Sequence, residues 1–157
     1  GQHNNGCDLY VVKLSGATGA MLAGTFVGGT GNDGINIATE LNYNYGDVCR
    51  GEIAVDSEGR PWVASTTRSA DFPLVQAFDP ALGGATDAVV FRLSADLADL
   101  EFSSYLGGSN DDAGYAMQFA SDGSAAYITG GTRSTDFPGT AGGAQPAHAG
   151  GLIVSTV

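Results

Sequence analysis

The sequence predicts an all-β fold made of repeated four-stranded antiparallel units. Three observations support this class: short segments rich in valine, leucine and aromatic residues, clusters of Gly, Asn and Asp between them, and an internal repeat. Helical periodicity is weak, and the one helical piece that the pattern suggests lies around residues 37–41. We therefore expect strands joined by hairpins and loops.

The repeat is visible in two pairs of segments. DLYVVKL, which begins at Asp8, recurs as DAVVFRL from Asp87, and GTFVGGTGND, which ends at Asp33, recurs as SSYLGGSNDD, which ends at Asp112. Both pairs lie 79 residues apart, whereas IAVDSEGRPWVASTTRSADFP and MQFASDGSAAYITGGTRSTDFP lie only 64 or 65 residues apart. The difference predicts a 15-residue insertion in the first unit, after Asp33.

The chain is thus predicted to hold two full units and the start of a third. Residues 1–86 form the first unit with its insertion, residues 87–150 form the second, and GLIVSTV at 151–157 matches the first strand of a third. Each unit starts with an apolar strand, continues with a strand that ends before Gly-Gly, and closes with a hairpin around DSEG or SDG. The eight predicted strands are 9–14, 22–27, 53–55, 62–66, 88–93, 100–106, 117–119 and 127–130.

Composition restricts the partners. Seventeen acidic residues against six basic ones give a net charge of -11, which argues against binding to nucleic acid or to an anionic membrane. No apolar segment approaches the roughly 20 residues of a membrane-spanning helix, so membrane insertion is not expected. Divalent cations suit this charge better.

The segment GGTGNDG at 28–34 fits three interpretations. Gly29, Gly31 and Gly34 have the spacing of a dinucleotide-binding loop, the same segment matches one calcium-binding β-roll repeat, and it also suits a plain turn. The second copy replaces two of these glycines by Asn110 and Ala113, and no convincing helix follows either copy. A turn is therefore the favoured interpretation, and calcium stays open.

Calcium would take its oxygen ligands from these loops. The candidate ligands are Asn32 and Asp33 in the first copy and Asp111 and Asp112 in the second. The same residue types also form turns without a metal, because they hydrogen-bond to their own backbone. We expect no required cofactor, with calcium as the one cofactor that the loops suit.

Cys7 and Cys49 are expected to form a disulfide that pins the insertion onto the first unit, with two inert buried thiols as the alternative. The repeated R-S-x-D-F-P is interpreted as structural, with Asp capping a turn and Phe packing between units. Trp62 and Tyr127 occupy matching strand positions and are predicted to lie in the core between units, with sugar stacking as the alternative.

Catalysis has little support in the sequence. His3 and His148 lie in terminal loops, and the chain contains no nucleophile-elbow, zinc-protease or zinc-ligand motif. The protein is therefore predicted not to be an enzyme.

The segments DAVVFRL, SYLGGSNDD, IAVDSEG, TTRSADFP and GTRSTDFP resemble the SBBP family of bacterial β-propeller repeats, over almost the whole chain. The resemblance implies propeller-blade-like units in a secreted or surface-displayed bacterial protein, and it brings no catalytic residues with it. The sequence departs from the family pattern at Gly151, which replaces the aspartate of the first strand, at Thr156, which replaces its basic residue, and in the insertion.

The number of units raises the question of assembly. A propeller needs at least about four blades of four strands to close, so two units and one strand are expected to be incomplete as a closed propeller. The last strand is uncharged and is a template for pairing with another chain; its residues are Leu152, Ile153, Val154, Ser155, Thr156 and Val157.

The resulting expectation is a secreted, extracellular or cell-surface bacterial structural protein that assembles with copies of itself into a fibre or polymer. The alternative is a β-propeller module that binds a surface glycan or another protein, with calcium as a co-ligand.

Overall fold

The computed structural model describes residues 6–42 and 48–150, and within them the fold is all-β, as the sequence predicts. The only helical element with described bounds is one turn of 3-10 helix at Thr39–Leu41, inside the predicted 37–41 segment. Eight strands make up the rest: β1 (Leu9–Leu14), β2 (Met21–Val27), β3 (Glu52–Val55), β4 (Pro61–Thr67), β5 (Asp87–Leu93), β6 (Leu100–Leu106), β7 (Asp112–Phe119) and β8 (Ala126–Thr132).

The strands form three antiparallel sheets. The central sheet has four strands in the order β3-β4-β5-β6, and two-stranded sheets, β1-β2 and β7-β8, lie before and after it. The central sheet joins the last two strands of the first sequence unit to the first two strands of the second. Within the described residues, no barrel or propeller is closed.

Packing between sheets creates the core. The larger cluster joins the β1-β2 sheet to the central sheet; its buried members are Val11, Val27, Val63, Phe72, Val89, Phe91, Leu93, Leu97 and Tyr105. A smaller cluster of Ala64, Val90 and Met117 joins the central sheet to β7, which contacts β3, β4 and β5. The sheets therefore stack face to face, each burying the apolar side chains of alternating strand positions.

The insertion interrupts the first strand of the central sheet. In the second unit, β7 runs without a break from Asp112, which pairs with Thr132. In the first unit, Asp33 makes the equivalent bridge to Thr67, but ladder pairing with β4 resumes only at Glu52. The chain between these two points holds the 3-10 helix and residues 43–47, which lie outside the described part. The insertion is thus an excursion from one strand.

The cysteine prediction was wrong. Cys7 and Cys49 are both free and exposed, so the structure contains neither the predicted disulfide nor the alternative of two buried thiols. The backbone at Cys7 is instead held by the turn of the first unit: its N–H donates to Asn32 Oδ1 over 3.1 Å, and its carbonyl accepts from the Asp33 N–H. The segment at Cys7 is thus held to the turn of the first unit by hydrogen bonds and not by a disulfide.

The predicted pairing strand at 151–157 and His3 lie outside the described residues. His148 is exposed, and its Nδ1 accepts a hydrogen bond from the backbone N–H of Gly150.

Candidate functional site

Among the described residues, a network of polar groups forms a corner where GGTGND meets TRSAD. Asp33 is buried at the centre of this corner. Its Oδ2 accepts hydrogen bonds of 2.9 Å from the Gly29 N–H and from Ser69 Oγ, and its Oδ1 accepts a short one from Thr67 Oγ1. The corner is completed by Asp71, whose Oδ1 accepts from the Thr30 N–H. One carboxylate thus joins the turn after β2 to the segment that leaves β4.

The second unit builds the same corner. Asp112 Oδ2 accepts 2.7 Å and 2.8 Å hydrogen bonds from the Gly108 N–H and from Ser134 Oγ. The Asp136 carboxylate accepts both the N–H and the hydroxyl of Ser109. The bond from Thr67 to Asp33 Oδ1 has no counterpart here, since Asp112 Oδ1 is buried without a hydrogen-bond partner. The other bonds recur in two segments far apart in sequence, so the corner is a structural signature of the unit.

The second glycine of Gly-Gly is required by close approach. A Cβ on Gly29 would lie 2.6 Å from Ser69 Cβ, and a Cβ on Gly108 would lie 2.6 Å from Ser134 Cβ. A larger residue would therefore separate the two segments that the corner aspartate holds together. GGTGNDG is a turn, as its recurrence predicts, and the structure shows that it also fixes a tertiary contact.

A second carboxylate lies beside each corner: Asp87, which is buried, in the second unit and Asp8, which is half-buried, in the first. Asp87 is fully buried, and its two oxygens accept the N–H groups of Gly83 and Gly84 over 2.8 Å and 3.1 Å. Gly107 separates it from Asp112, since a Cβ there would lie 2.7 Å from Asp87 Cγ and 2.9 Å from Asp112 Oδ2.

Burial raises the pKa of Asp87 to about 6, against the lowering effect of the Gly83 and Gly84 N–H bonds, and the nearby Asp112 and Asp79 carboxylates raise it further. The carboxylates of Asp8 and Asp33 flank Gly28 in the same way.

Each predicted calcium ligand makes at least one contact with a protein donor, although Asp112 Oδ1 is buried without a hydrogen-bond partner. Asn32 Oδ1 accepts a hydrogen bond from the Cys7 N–H, and the backbone carbonyl of Asn32 accepts one from the Arg68 N–H. Asp111 lies on the outside of its corner, 3.6 Å from the Arg133 guanidinium. Within residues 6–42 and 48–150, no group of three or more His, Cys, Asp or Glu side chains is arranged to hold a metal ion. Calcium at these loops remains a prediction.

The R-S-x-D-F-P segment has the structural role that the sequence predicts in its first copy. Asp71 caps the turn, and Phe72 is buried against the rings of Phe91 and Tyr105. The Tyr105 hydroxyl donates to the Ser69 carbonyl over 2.6 Å and accepts the Phe72 N–H. A tyrosine of the second unit thereby holds the corner of the first.

The two matched aromatic positions differ in environment. Trp62 lies between sheets, 5.6 Å from the ring centroid of Phe102 and 5.9 Å from that of Phe119, with the Arg92 guanidinium 5.2 Å from its own ring. Tyr127 is exposed instead of buried, because no described sheet follows β8. Trp62 is partly buried and packs against the smaller core cluster, as the core prediction requires, whereas that prediction is wrong for Tyr127.

Sequence reasoning missed Asp87 and Tyr105 as polar contributors. The signal for Asp87 was available, since an aspartate begins both DLYVVKL and DAVVFRL. Tyr105 gave no such signal, because its counterpart in the first unit is Phe26, which has no hydroxyl.

Comparison with known proteins leaves the family open. No family model matches the chain, and no curated protein matches it. Membership of the SBBP family therefore stays a prediction from the repeated segments. In the described part of the chain, no helix has the length and hydropathy needed to cross a membrane.

Proposed function

We propose that this chain is a non-enzymatic structural protein of bacterial origin that assembles with copies of itself through its terminal β-strands into an extracellular or cell-surface polymer. The observation that carries the proposal is the pair of two-stranded sheets around one complete four-stranded sheet. Two-stranded sheets are marginal alone, and an unprotected edge pairs readily with another strand. Strands from other copies of the chain would extend both two-stranded sheets to four strands.

The use of the polar residues supports a structural role. Asp33, Ser69 and Asp71, with their counterparts in the second unit, hold segments of the chain together through backbone and hydroxyl groups. These polar residues recur in both sequence units, and each is engaged in the fold. The net charge of -11 argues against nucleic acid as a partner, and copies of the chain, which carry the same charge, would have to associate through apolar faces.

Electron microscopy and light scattering of the purified chain, over a wide concentration range, test the proposal. We expect oligomers that grow with concentration into rings or filaments. Monodisperse monomers at every concentration would overturn the proposal.

A carbohydrate- or protein-binding module is the second candidate. Phe78 favours it, because this aromatic side chain is 60% exposed while it stacks on Phe102 at a ring distance of 6.2 Å. Exposed rings of this kind can stack on a sugar. A glycan array followed by calorimetry, with and without calcium, separates the two candidates: saturable glycan binding by a monomer that does not assemble would favour the module.

A further inference from the structure

The central sheet contains a strand pair whose two members recur unpaired at the ends of the described chain. In that sheet β4 pairs with β5, from Trp62 opposite Arg92 to Thr67 opposite Asp87. By the sequence repeat, β8 is the counterpart of β4 and β1 is the counterpart of β5. Among the described strands, β8 pairs only with β7 and β1 only with β2. The chain thus presents both halves of a pairing that it already makes once.

An exposed face of β1-β2 points to the same missing neighbour. In the second unit Val89, Phe91, Leu93 and Tyr105 are 1%, 0%, 2% and 0% exposed, because the β1-β2 sheet covers them. Their counterparts on β1-β2 are Tyr10, Val12, Leu14 and Phe26, which are 70%, 41%, 54% and 61% exposed. This outer face is therefore an uncovered copy of a face that forms the main core, and exposed apolar patches of this kind mark interaction sites.

The surface that would cover the outer face lies beside β8. A cavity there opens between the central sheet and the free edge of β8, lined by Ala88, Leu106, Ile128, Thr132 and Phe137. It occupies the position, relative to β5 and β6, that a further pair of strands would take beyond β8.

We propose that the β1-β2 sheet of a second copy docks at this cavity, so that β7, β8 and the second copy's β1 and β2 form one four-stranded sheet. The partner is another copy of this chain, and the inference rests on the proposed function. The register follows that of β4 and β5, so Tyr127 lies opposite Lys13 of the second copy and Thr132 opposite its Asp8.

A second copy would cover both the β8 edge and the outer face of β1-β2, whereas the chain's own last residues would cover only the β8 edge. Residues 151–157 match β5 in sequence and could pair with β8, but a single strand at that edge leaves the outer face of β1-β2 uncovered. Docking of the second copy's whole β1-β2 sheet completes the β8 edge of the first copy and, in the same contact, buries the outer face of that β1-β2 sheet against the first copy's β5 and β6. The same contact repeats from copy to copy, which gives a head-to-tail polymer.

Cross-linking tests the register. In a background of Cys7→Ser and Cys49→Ser, protein carrying Lys13→Cys is mixed with protein carrying Tyr127→Cys and oxidised. Directly opposed residues of an antiparallel pair have Cα atoms about 4.5–5.5 Å apart, within the range of a disulfide. We expect a disulfide-linked dimer from this mixture. The matched control replaces Lys13→Cys by Val12→Cys, whose side chain lies on the opposite face, and should lose the dimer. Equal dimer yields from both mixtures would overturn the register.

Two further proteins separate this inference from the proposed function. A chain that ends at Gly150 should still assemble, and Phe26→Asp in it should abolish assembly without changing the urea midpoint of the monomer, whereas Ile37→Asp should leave assembly intact. A chain with both Tyr127→Cys and Thr156→Cys tests whether the chain's own residues 151–157, and not a second copy, pair with β8. If it forms an intrachain disulfide and yet the native chain assembles, the inference is wrong and the proposed function stands. Monomers in every preparation would overturn both.

Discussion

Replacement of Asp33 by alanine should destabilise the fold far more than removal of an exposed aspartate. Asp33 is buried and accepts hydrogen bonds from the Gly29 N–H, the Ser69 hydroxyl and the Thr67 hydroxyl. The alanine variant leaves the partly buried Gly29 N–H without its acceptor and removes both hydroxyl contacts.

The magnitude follows from those three bonds. An unsatisfied buried donor costs about 1–3 kcal/mol, and hydrogen bonds to a charged group contribute about 1.5–3 kcal/mol each, partly recovered when the hydroxyls rotate to other acceptors. We expect Asp33→Ala to lower the free energy of unfolding by about 3–5 kcal/mol, a range typical of removing one partner from a buried charged network. Asp33→Asn keeps one acceptor oxygen and should cost less.

Urea denaturation, followed by fluorescence at a concentration where the protein is monomeric, measures the effect. With an m-value of about 2 kcal/mol/M, the expected loss moves the midpoint by about 2 M. The control is Asp122→Ala, since Asp122 is exposed and also accepts an N–H and a hydroxyl, both from Ser124. A midpoint for Asp33→Ala within about 0.5 M of that control would refute the argument that the corner carboxylate stabilises the fold.

Three other outcomes are expected. The pKa of Asp87 is raised to about 6 in the fold, so the contribution of this carboxyl to stability is largest below its unfolded pKa and declines as pH rises through 6. The decline amounts to at most about 3 kcal/mol. Asp87→Asn should remove it from urea titrations carried out between about pH 4 and 7. Gly114→Ala should destabilise the fold strongly, because a Cβ at this position would lie 2.7 Å from the Ser65 carbonyl oxygen. Gly16→Ala is the control and should be neutral in the same assay, because a Cβ there would have no neighbour within 4 Å. Excess calcium should leave the melting temperature unchanged relative to EDTA, since protein donors occupy both oxygens of Asp33 and one oxygen of Asp112, and the described residues hold no group of three ligands. A rise that saturates would instead place calcium at the loops.

The strands were the most predictable part of the structure. The bounds of β1 and β6 match the predicted 9–14 and 100–106, because valine, leucine and aromatic residues alternate there between clear turn signals. β7 begins at Asp112 and not at 117. The pattern missed this start because Ala113 and Gly114 are weak strand formers and a bulge follows them, between Gly114 and Ala116. Tertiary pairing with β8 decides their conformation.

The grouping of strands and the environment of the acidic residues could not be predicted. A repeat read from sequence alone can be divided at any point, so nothing in it indicated that a sheet spans the boundary at Asp87. Asp33 and Asp112 were placed in turns, which is correct, but their burial depends on serines more than 20 residues later in the chain. The missing disulfide has a similar origin: an even cysteine count is a statistical argument and carries no information on distance.

The offset between sequence units and sheets has a consequence for how such a chain can change in length. Because each unit ends halfway through a sheet, a duplicated unit placed between residues 86 and 87 would add one complete sheet to the stack and leave the first and last strands as they are. Loss of a unit would likewise remove one complete sheet from the stack. Growth by duplication then requires no new surface, since every joint that it creates is one that the chain already contains.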